Sequence, residues 1–297
     1  MLTTLRAVLD EARRGGYAVA GFDCVADVMV RAILETAEES RSPAILMCLG
    51  PDLEGNGMAY HPGLILAVAD HHAVPVVLHL DHATDLEMVR AAVDRGFTSV
   101  MIDGSQLPFA ENVALTRAAV EIARPHGVSV EAELGYVGGM DRSDAHFAAS
   151  VLTEPEEVAR FVAETGIDAL AVSIGTSHGV YRSLPTLNIE RLDELNAASP
   201  VPLVLHGGSG TPEDQLREAI RHGITKLNIY ADCRVAMGRG LRRAAAATVR
   251  EDPLPEEVFG PISEEIGQVV REKIDLAGSA GRAVAPRPGC VPQGMES

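Results

Sequence analysis

The segment Val76-Val-Leu-His-Leu-Asp-His82 combines an apolar run with polar residues at its end, and this combination recurs along the 297-residue chain. Short runs of valine, isoleucine, leucine and alanine, such as Val76 to Leu80, predict β-strands because turn residues bound them. Strands that are apolar almost throughout indicate a parallel sheet buried on both faces. Seven further runs share this character: Ala18 to Phe22, Ala44 to Cys48, Ser99 to Ile102, Val128 to Glu133, Ala169 to Ile174, Pro202 to His206 and Lys226 to Ile229.

Amphipathic stretches between the eight runs predict helices. Thr153 is a candidate N-cap of one helix, the segment Thr211 to Asp214 opens another, and a last helix is expected around Pro255 to Ile274. Eight strand–helix units in about 250 residues predict a (β/α)8 barrel, in the α/β class, with an additional C-terminal helix. A doubly wound open sheet has the same alternation, so the strand count leaves it as an alternative. We expect residues 1–282 to form one domain and residues 283–297 to form a flexible tail.

Composition excludes several classes of partner. The chain has 42 acidic against 25 basic residues and a formal net charge of −17, without a basic block. Binding to nucleic acid or to an anionic membrane is therefore not expected, because both need a concentrated basic surface. Four widely separated cysteines, a charged N-terminal stretch and the lack of a long apolar run predict a soluble cytoplasmic protein.

Polar residues with the potential for catalysis follow several predicted strands. Catalytic groups of a barrel cluster at the C-terminal ends of its strands. His82, His178 and His206 each follow a different strand, and three neutral imidazoles with an open fourth position form a typical catalytic zinc site. His79 competes with His82, but alternation along the strand predicts that the two point to opposite sides and favours the later residue.

Carboxylates accompany these histidines. Asp81 precedes His82 and is either a general acid/base or a carboxylate that orients a histidine. Asp103 and Glu133 stand at the ends of two further strands, where they offer oxygen ligands for a second or alternative metal position or serve as structural carboxylates.

A phosphate-binding region is predicted beside the metal. The glycine-rich turn Gly207 to Gly210 and Asn228 occupy the part of a barrel that commonly binds phosphate, and Arg182 could add a cation. A metal next to an anion pocket favours enolate chemistry, although a zinc hydrolase would also use the histidines. The glycine-rich segment from Gly135 to Ser150 is expected to be a mobile active-site loop.

Six motifs together identify a family resemblance. They are His79-Leu-Asp-His82, Met101-Ile-Asp-Gly-Ser105, Pro108-Phe-Ala-Glu-Asn112, Glu131-Ala-Glu-Leu-Gly135, Gly175-Thr-Ser-His-Gly179 and Leu205-His-Gly-Gly-Ser-Gly210. In this order, over residues 1–282, the chain resembles the class II, zinc-dependent ketose-bisphosphate aldolases, which include fructose- and tagatose-bisphosphate aldolases. The resemblance implies a barrel lyase that reversibly cleaves a phosphorylated ketose into a dihydroxyacetone phosphate-like donor and an aldehyde. It also implies zinc, a monovalent cation (Na⁺ or K⁺) and a homodimer or homotetramer.

The resemblance assigns roles to individual residues. His82, His178 and His206 would bind the catalytic zinc, with Asp103 and Glu133 at its alternative position. Asp81 would exchange the proton of the substrate's C4 hydroxyl. Substrate and phosphate contacts are expected from Asp23, Gly179, Arg182, Gly207, Gly208, Ser209, Asn228, Tyr230 and Arg234.

Departures from the family pattern concern the loop and the substrate. Asp141 is the nearest candidate for the loop glutamate that exchanges the carbon-bound proton, and Tyr230-Ala231 replaces a polar pair that often ends in a phosphate-binding threonine. Asp23 replaces an asparagine, and an added acid there would repel a second phosphate and favour a hydroxyl or amine. These departures keep a non-catalytic, aldolase-like subunit as a further alternative.

Overall fold

The computed structural model describes residues 1–139, 150–179 and 184–283. Its eight strands are β1 (Val19–Asp23), β2 (Ala44–Leu49), β3 (Val76–Ala83), β4 (Ser99–Ile102), β5 (Ser129–Leu134), β6 (Ala169–Val172), β7 (Leu203–Leu205) and β8 (Ile224–Ile229). They pair in parallel in sequence order, and β1 also pairs with β8. The closed barrel predicted from the sequence is thereby confirmed, and the open doubly wound sheet is not formed.

Ten α-helices accompany the strands among the described residues. They are α1 (Leu5–Gly15), α2 (Asp27–Glu39), α3 (Gly57–Ala69), α4 (Leu86–Arg95), α5 (Phe109–Ala123), α6 (Pro155–Thr165), α7 (Ile189–Ala198), α8 (Glu213–Arg221), α9 (Ala231–Ala247) and α10 (Pro255–Ala277). The expected C-terminal helix is α10, which packs against α2 and α9. No helix within the described ranges combines the length and apolarity needed to cross a membrane.

Apolar residues form two layers. Most strand residues that face outward, such as Leu46 and Leu78, belong to the large cluster between barrel and helices, while Val19, Ile45 and Val77 belong to a second cluster inside the barrel. Four apolar residues of α1 complete this inner cluster: Leu5, Val8, Leu9 and Ala12. Because α1 covers the N-terminal end of the barrel, the opposite end is left for a functional site.

One predicted helix cap is wrong. The helix α6 begins at Pro155, and its N-cap residue Glu154 makes no side-chain cap. The hydroxyl of Thr153 instead donates to the carbonyl of Leu134 and accepts from the amide of Ser173, 2.8 Å away. Thr153 therefore connects the end of β5 with the segment after β6. Its buried hydroxyl provides the hydrogen bonds that these two backbone groups need.

Candidate metal centre and active site

A cavity of about 510 Å³ opens at the C-terminal end of the barrel. Strands β3, β4, β7 and β8 and the segment after β6 bring distant residues together at this end, as predicted. The predicted site residues that line the cavity are Asp23, Asp81, His82, Asp103, His178, Gly179, Gly207, Ser209, Asn228 and Tyr230. The cavity therefore contains candidates for metal binding, acid/base chemistry and substrate binding.

Three imidazole rings converge at this end of the barrel: His82 and His178 line the cavity, and His206 packs against both from outside the lining. The ring centroid of His82 lies 5.1 Å from that of His178 and 4.7 Å from that of His206, and the last two lie 5.9 Å apart. One nitrogen from each ring lies within 4.8 Å of the other two. A second set, formed by His82, Asp103 and Glu133, meets the same distance limit.

Hydrogen bonds on one side of two rings determine which nitrogen is left for a metal. The Nδ1 atom of His82 lies 2.9 Å from Oδ2 of Asp103, and Nε2 of His206 lies 3.0 Å from Oε1 of Glu131. When these nitrogens carry the proton and donate to the carboxylates, Nε2 of His82 and Nδ1 of His206 keep their lone pairs. Carboxylates orient metal-binding histidines in this way.

Four buried atoms of this group lack hydrogen-bond partners among the described residues. Among the described residues, Nε2 of His82, Nε2 of His178, Nδ1 of His206 and Oε2 of Glu133 are buried without a hydrogen bond. Oε2 of Glu133 is 3.0 Å from Nδ1 of His206 but is not aligned for one. Buried polar atoms normally have partners, so a bound cation would satisfy this group. Three histidine nitrogens and a nearby carboxylate fit the ligands that zinc takes in catalytic sites.

Electrostatics also favour a cation here. Burial disfavours the imidazolium of His82, but the carboxylates of Asp81 and Asp103 outweigh burial and raise the pKa of His82 to about 9. Burial also disfavours the imidazolium of His206, but the carboxylates of Glu131 and Glu133 outweigh burial and raise the pKa of His206 to about 10. Burial and the two neighbouring imidazoles lower the pKa of His178 to about 3. The surrounding carboxylates thus stabilise positive charge that a divalent cation can supply.

The backbone at His82 departs from regular strand geometry. The register between β3 and β4 shifts between Leu80 and Ala83, and His82 has a φ of 49°, which is uncommon for a residue other than glycine. The sequence argument that His79 and His82 point to opposite sides is wrong. Nε2 of His79 is 3.8 Å and Nε2 of His82 is 4.0 Å from the carboxylate of Asp81. Irregular backbone, rather than alternation, directs His82 toward His178 and His206.

Asp81 lies beside the metal centre and faces the cavity. Its side chain is buried, and Oδ1 accepts a hydrogen bond of 3.1 Å from Nδ2 of Asn228. Burial raises the pKa of Asp81, but the charges of His82 and Lys226 outweigh burial and lower it overall. Asp81 is therefore a carboxylate positioned to exchange a proton with a molecule in the cavity.

A charged network below the metal centre was not predicted. Nζ of Lys226 donates to both carboxylate oxygens of Glu131, at 2.9 and 3.2 Å, and to Nε2 of His79 at 3.4 Å. All three side chains are fully buried, and Glu131 in turn accepts from His206. One signal was available in the sequence, because the chain has only two lysines, Lys226 and Lys273, and the first lies in an apolar strand.

The segment that carries His178 packs against the glycine-rich segment after β5. The amide of His178 donates to the carbonyl of Gly138 at 2.7 Å, and Gly139 pairs with His178 as an isolated bridge. Gly139 has a φ of 136°. The position of one metal-ligand candidate therefore depends on a glycine contact.

The predicted phosphate region lies at the start of α9. The hydroxyl of Ser209 accepts from the amides of Tyr230 and Asp232, at 3.1 and 3.3 Å, so it is placed at the helix N-terminus, and Ala231 lines the cavity. A helix N-terminus favours a bound anion. Gly207 has a φ of 68°, and a Cβ there would lie 2.5 Å from the carbonyl oxygen of Ser177, so only glycine fits this turn.

Other predicted substrate contacts are less direct. Gly208 does not line the cavity, and its amide donates to the carbonyl of Asn228 at 3.2 Å. The guanidinium of Arg234 lies 5.1 Å from the ring centroid of Tyr230 and also lies outside the cavity lining. Asp141 and Arg182 lie outside the described residues.

Comparison with known proteins agrees with this geometry. The family model for class II fructose-bisphosphate aldolase matches residues 3–282. A fructose-bisphosphate aldolase of Geobacillus stearothermophilus is 38% identical over 288 residues, which cover 95% of this chain and 99% of that protein.

Solved structures give the same result. The YdjI aldolase from Escherichia coli K12 has a TM-score of 0.85 and 33% identity over 96% of this chain and 100% of its own. A putative fructose-1,6-bisphosphate aldolase from Coccidioides immitis has a TM-score of 0.82 and 28% identity, with coverage of 94% and 97%. The chain belongs to the class II fructose-bisphosphate aldolase family, whose activity is aldol cleavage and condensation.

Proposed function

We propose that this protein is a zinc-dependent aldolase that cleaves a phosphorylated ketose into a dihydroxyacetone phosphate-like donor and an aldehyde, and that it catalyses the reverse condensation. The observation that carries this proposal is the convergence of three buried histidine nitrogens without protein partners beside the carboxylate of Asp81. His82, His178 and His206 would hold the zinc, and Asp103 and Glu133 would serve its alternative position. When bound, zinc supplies a Lewis acid that stabilises negative charge on the donor's carbonyl oxygen.

Asp81 performs the proton transfer at the aldehyde half. In cleavage, the carboxylate takes the proton of the C4 hydroxyl while the bond between C3 and C4 breaks and its electron pair stays with the donor half. In condensation, Asp81 returns this proton to the new C4 oxygen. Asn228 orients Asp81 through the amide contact at its Oδ1, which holds the carboxylate in place for the transfer.

The remaining assignments complete the proposal. Asp141 would exchange the carbon-bound proton of the donor. The donor phosphate would bind Gly179, the turn from Gly207 to Ser209 and the N-terminus of α9, with Arg182 as a cation. A sodium or potassium ion would bind neighbouring backbone, and residues 1–282 would form the catalytic domain of a cytoplasmic homodimer or homotetramer.

Metal removal and an Asp81→Asn variant test the function. Chelation should abolish release of dihydroxyacetone phosphate, and added zinc should restore it. Asp81→Asn should reduce turnover by at least about 100-fold, the lower range for general acid/base catalysis, while zinc content stays at the wild-type level. Asp94→Asn, an identical change at an exposed position of α4, is the control.

The products separate the alternatives. Release of an acid or amine would indicate the zinc hydrolase, and no turnover of any phosphorylated ketose or aldehyde would indicate a non-catalytic subunit. Wild-type turnover by Asp81→Asn would refute the role given to Asp81.

A further inference from the structure

One corner of the cavity, near the ends of β1, β2, β3 and β8, is rich in acids. We call it the acidic corner and define it by Asp23, Asp52, Asp81 and Tyr230. Asp23, Asp81 and Tyr230 line the cavity, and the hydroxyl of Tyr230 donates to Oδ2 of Asp52 at 3.3 Å. Asp81 connects the acidic corner with the candidate metal centre, since Nε2 of His82 lies 4.0 Å from its carboxylate.

Asp23 is the unusual member of the acidic corner. Only 3% of its surface is exposed, yet its Oδ1 has no hydrogen-bond partner among the described residues. A buried carboxyl oxygen without a partner destabilises the folded protein, because folding removes its hydrogen bonds to water and no protein donor replaces them. Since Asp23 lines the cavity, a hydrogen-bond donor on a bound molecule can satisfy this oxygen.

The acidic corner is unsuited to a second phosphate. No lysine or arginine stands among the cavity-lining residues that the structure describes, whereas phosphate recognition usually needs cations or free N–H donors. Burial and the carboxylate of Asp81 raise the pKa of Asp23 well above its ordinary value, which indicates that further negative charge is unfavourable here. The phenol of Tyr230 already donates its proton to Asp52.

We propose that Asp23 selects an aldehyde that carries a hydroxyl group, and no phosphate, at its far end, so that the ketose substrate has its single phosphate on the donor half. A hydroxyl supplies the donor that Oδ1 of Asp23 lacks, while a phosphate dianion offers only acceptors. This inference rests on the proposed aldolase function, and it names the substrate class of the same site as ketose 1-phosphates.

A condensation assay with the zinc-loaded full chain tests the proposal. Dihydroxyacetone phosphate is offered with glycolaldehyde, glyceraldehyde, erythrose or glyceraldehyde 3-phosphate, and its consumption is followed while mass spectrometry identifies the products. At least one uncharged hydroxyaldehyde should exceed glyceraldehyde 3-phosphate in kcat/KM by at least about tenfold, because like charges in a buried site disfavour binding.

Asp23→Asn provides the matched substitution. It removes the acidic group, keeps the shape and adds a donor, so it should shift the kcat/KM ratio at least about tenfold toward glyceraldehyde 3-phosphate. Asp27→Asn, the same change at an exposed position after β1, should leave the ratio unchanged. Thermal unfolding of each variant verifies that it is folded.

The outcomes distinguish this inference from the function on which it rests. Failure to consume dihydroxyacetone phosphate with every aldehyde would overturn the proposed function. Preference of the wild-type enzyme for glyceraldehyde 3-phosphate would overturn the inference alone. An unchanged ratio in folded Asp23→Asn would overturn the role of Asp23 in substrate selection.

Discussion

Gly139→Ala tests how closely the glycine-rich segment after β5 controls the metal centre. A Cβ at this position would lie 2.4 Å from both the amide nitrogen and the carbonyl oxygen of His178, and 2.8 Å from its Cα. These neighbours are backbone atoms, so relief of the clash requires a shift of the segment that carries His178. The φ of 136° adds strain that glycine does not have.

The cost of Gly139→Ala follows from these two effects. Unfavourable backbone dihedrals contribute about 1–3 kcal/mol, and overpacking contributes about 1–3 kcal/mol more. Part of this strain opposes the position of His178 that zinc binding needs. If that part is only about 1.4 kcal/mol, zinc affinity decreases about tenfold. We therefore expect at least this loss of affinity, together with a lower free energy of unfolding.

Competition with a chromogenic chelator measures the zinc affinity of Gly139→Ala. Gly127→Ala is the control, because Gly127 also has a positive φ, of 69°, but a Cβ there meets no atom within 4 Å. The control should lose stability through backbone strain and keep its zinc affinity. Wild-type zinc affinity in Gly139→Ala would refute the idea that this contact positions His178.

Two further predictions concern the charges around the metal centre. Lys226→Met should lower the free energy of unfolding of the metal-free protein by about 3–5 kcal/mol in urea denaturation, because Glu131 keeps a buried charge without its lysine. Lys273→Met breaks the ion pair with Asp232 (2.8 Å), whose side chains are 12% and 26% exposed. This variant should lose less unfolding free energy than Lys226→Met, and equal losses in the two variants would contradict the role of burial. Zinc affinity should rise with pH, since protons occupy His82 and His206 below pKa values of about 9 and 10. Chelator competition between pH 6 and 8 should show the release of about two protons per zinc, and a pH-independent affinity would contradict the assignment of these ligands.

The sequence predicted the barrel and the meeting of three histidines at one end of it, because both depend on local pattern and chain direction. Strand-like runs such as Val76 to Leu80 predict a parallel barrel, and the parallel arrangement places residues that follow different strands at one end. His82, His178 and His206 therefore meet although they are distant along the chain. The sequence pattern alone left the chemical roles of these histidines and of Asp81 open, and the resemblance to a family assigned them.

Contacts across the barrel interior could not be predicted in this way. Glu131 and Lys226 come from β5 and β8, which are not neighbours, so neither strand pairing nor sequence spacing indicates their ion pair. The direction of His82 depends on the backbone irregularity at the end of β3, which a rule of strict alternation excludes. Thr153 resembled a helix cap because threonine hydroxyls serve helix ends and loop backbone equally well.

The burial of Lys226 affects how the protein responds to amine-reactive reagents. Its amino group is fully enclosed and bound by Glu131 and His79, so an acylating reagent reaches it only after the barrel opens. Lys273 is the one other lysine, and it is paired with Asp232 near the surface. Acylation of Lys226 therefore reports the opening of the barrel, while Lys273 in the same molecule records exposure to the reagent.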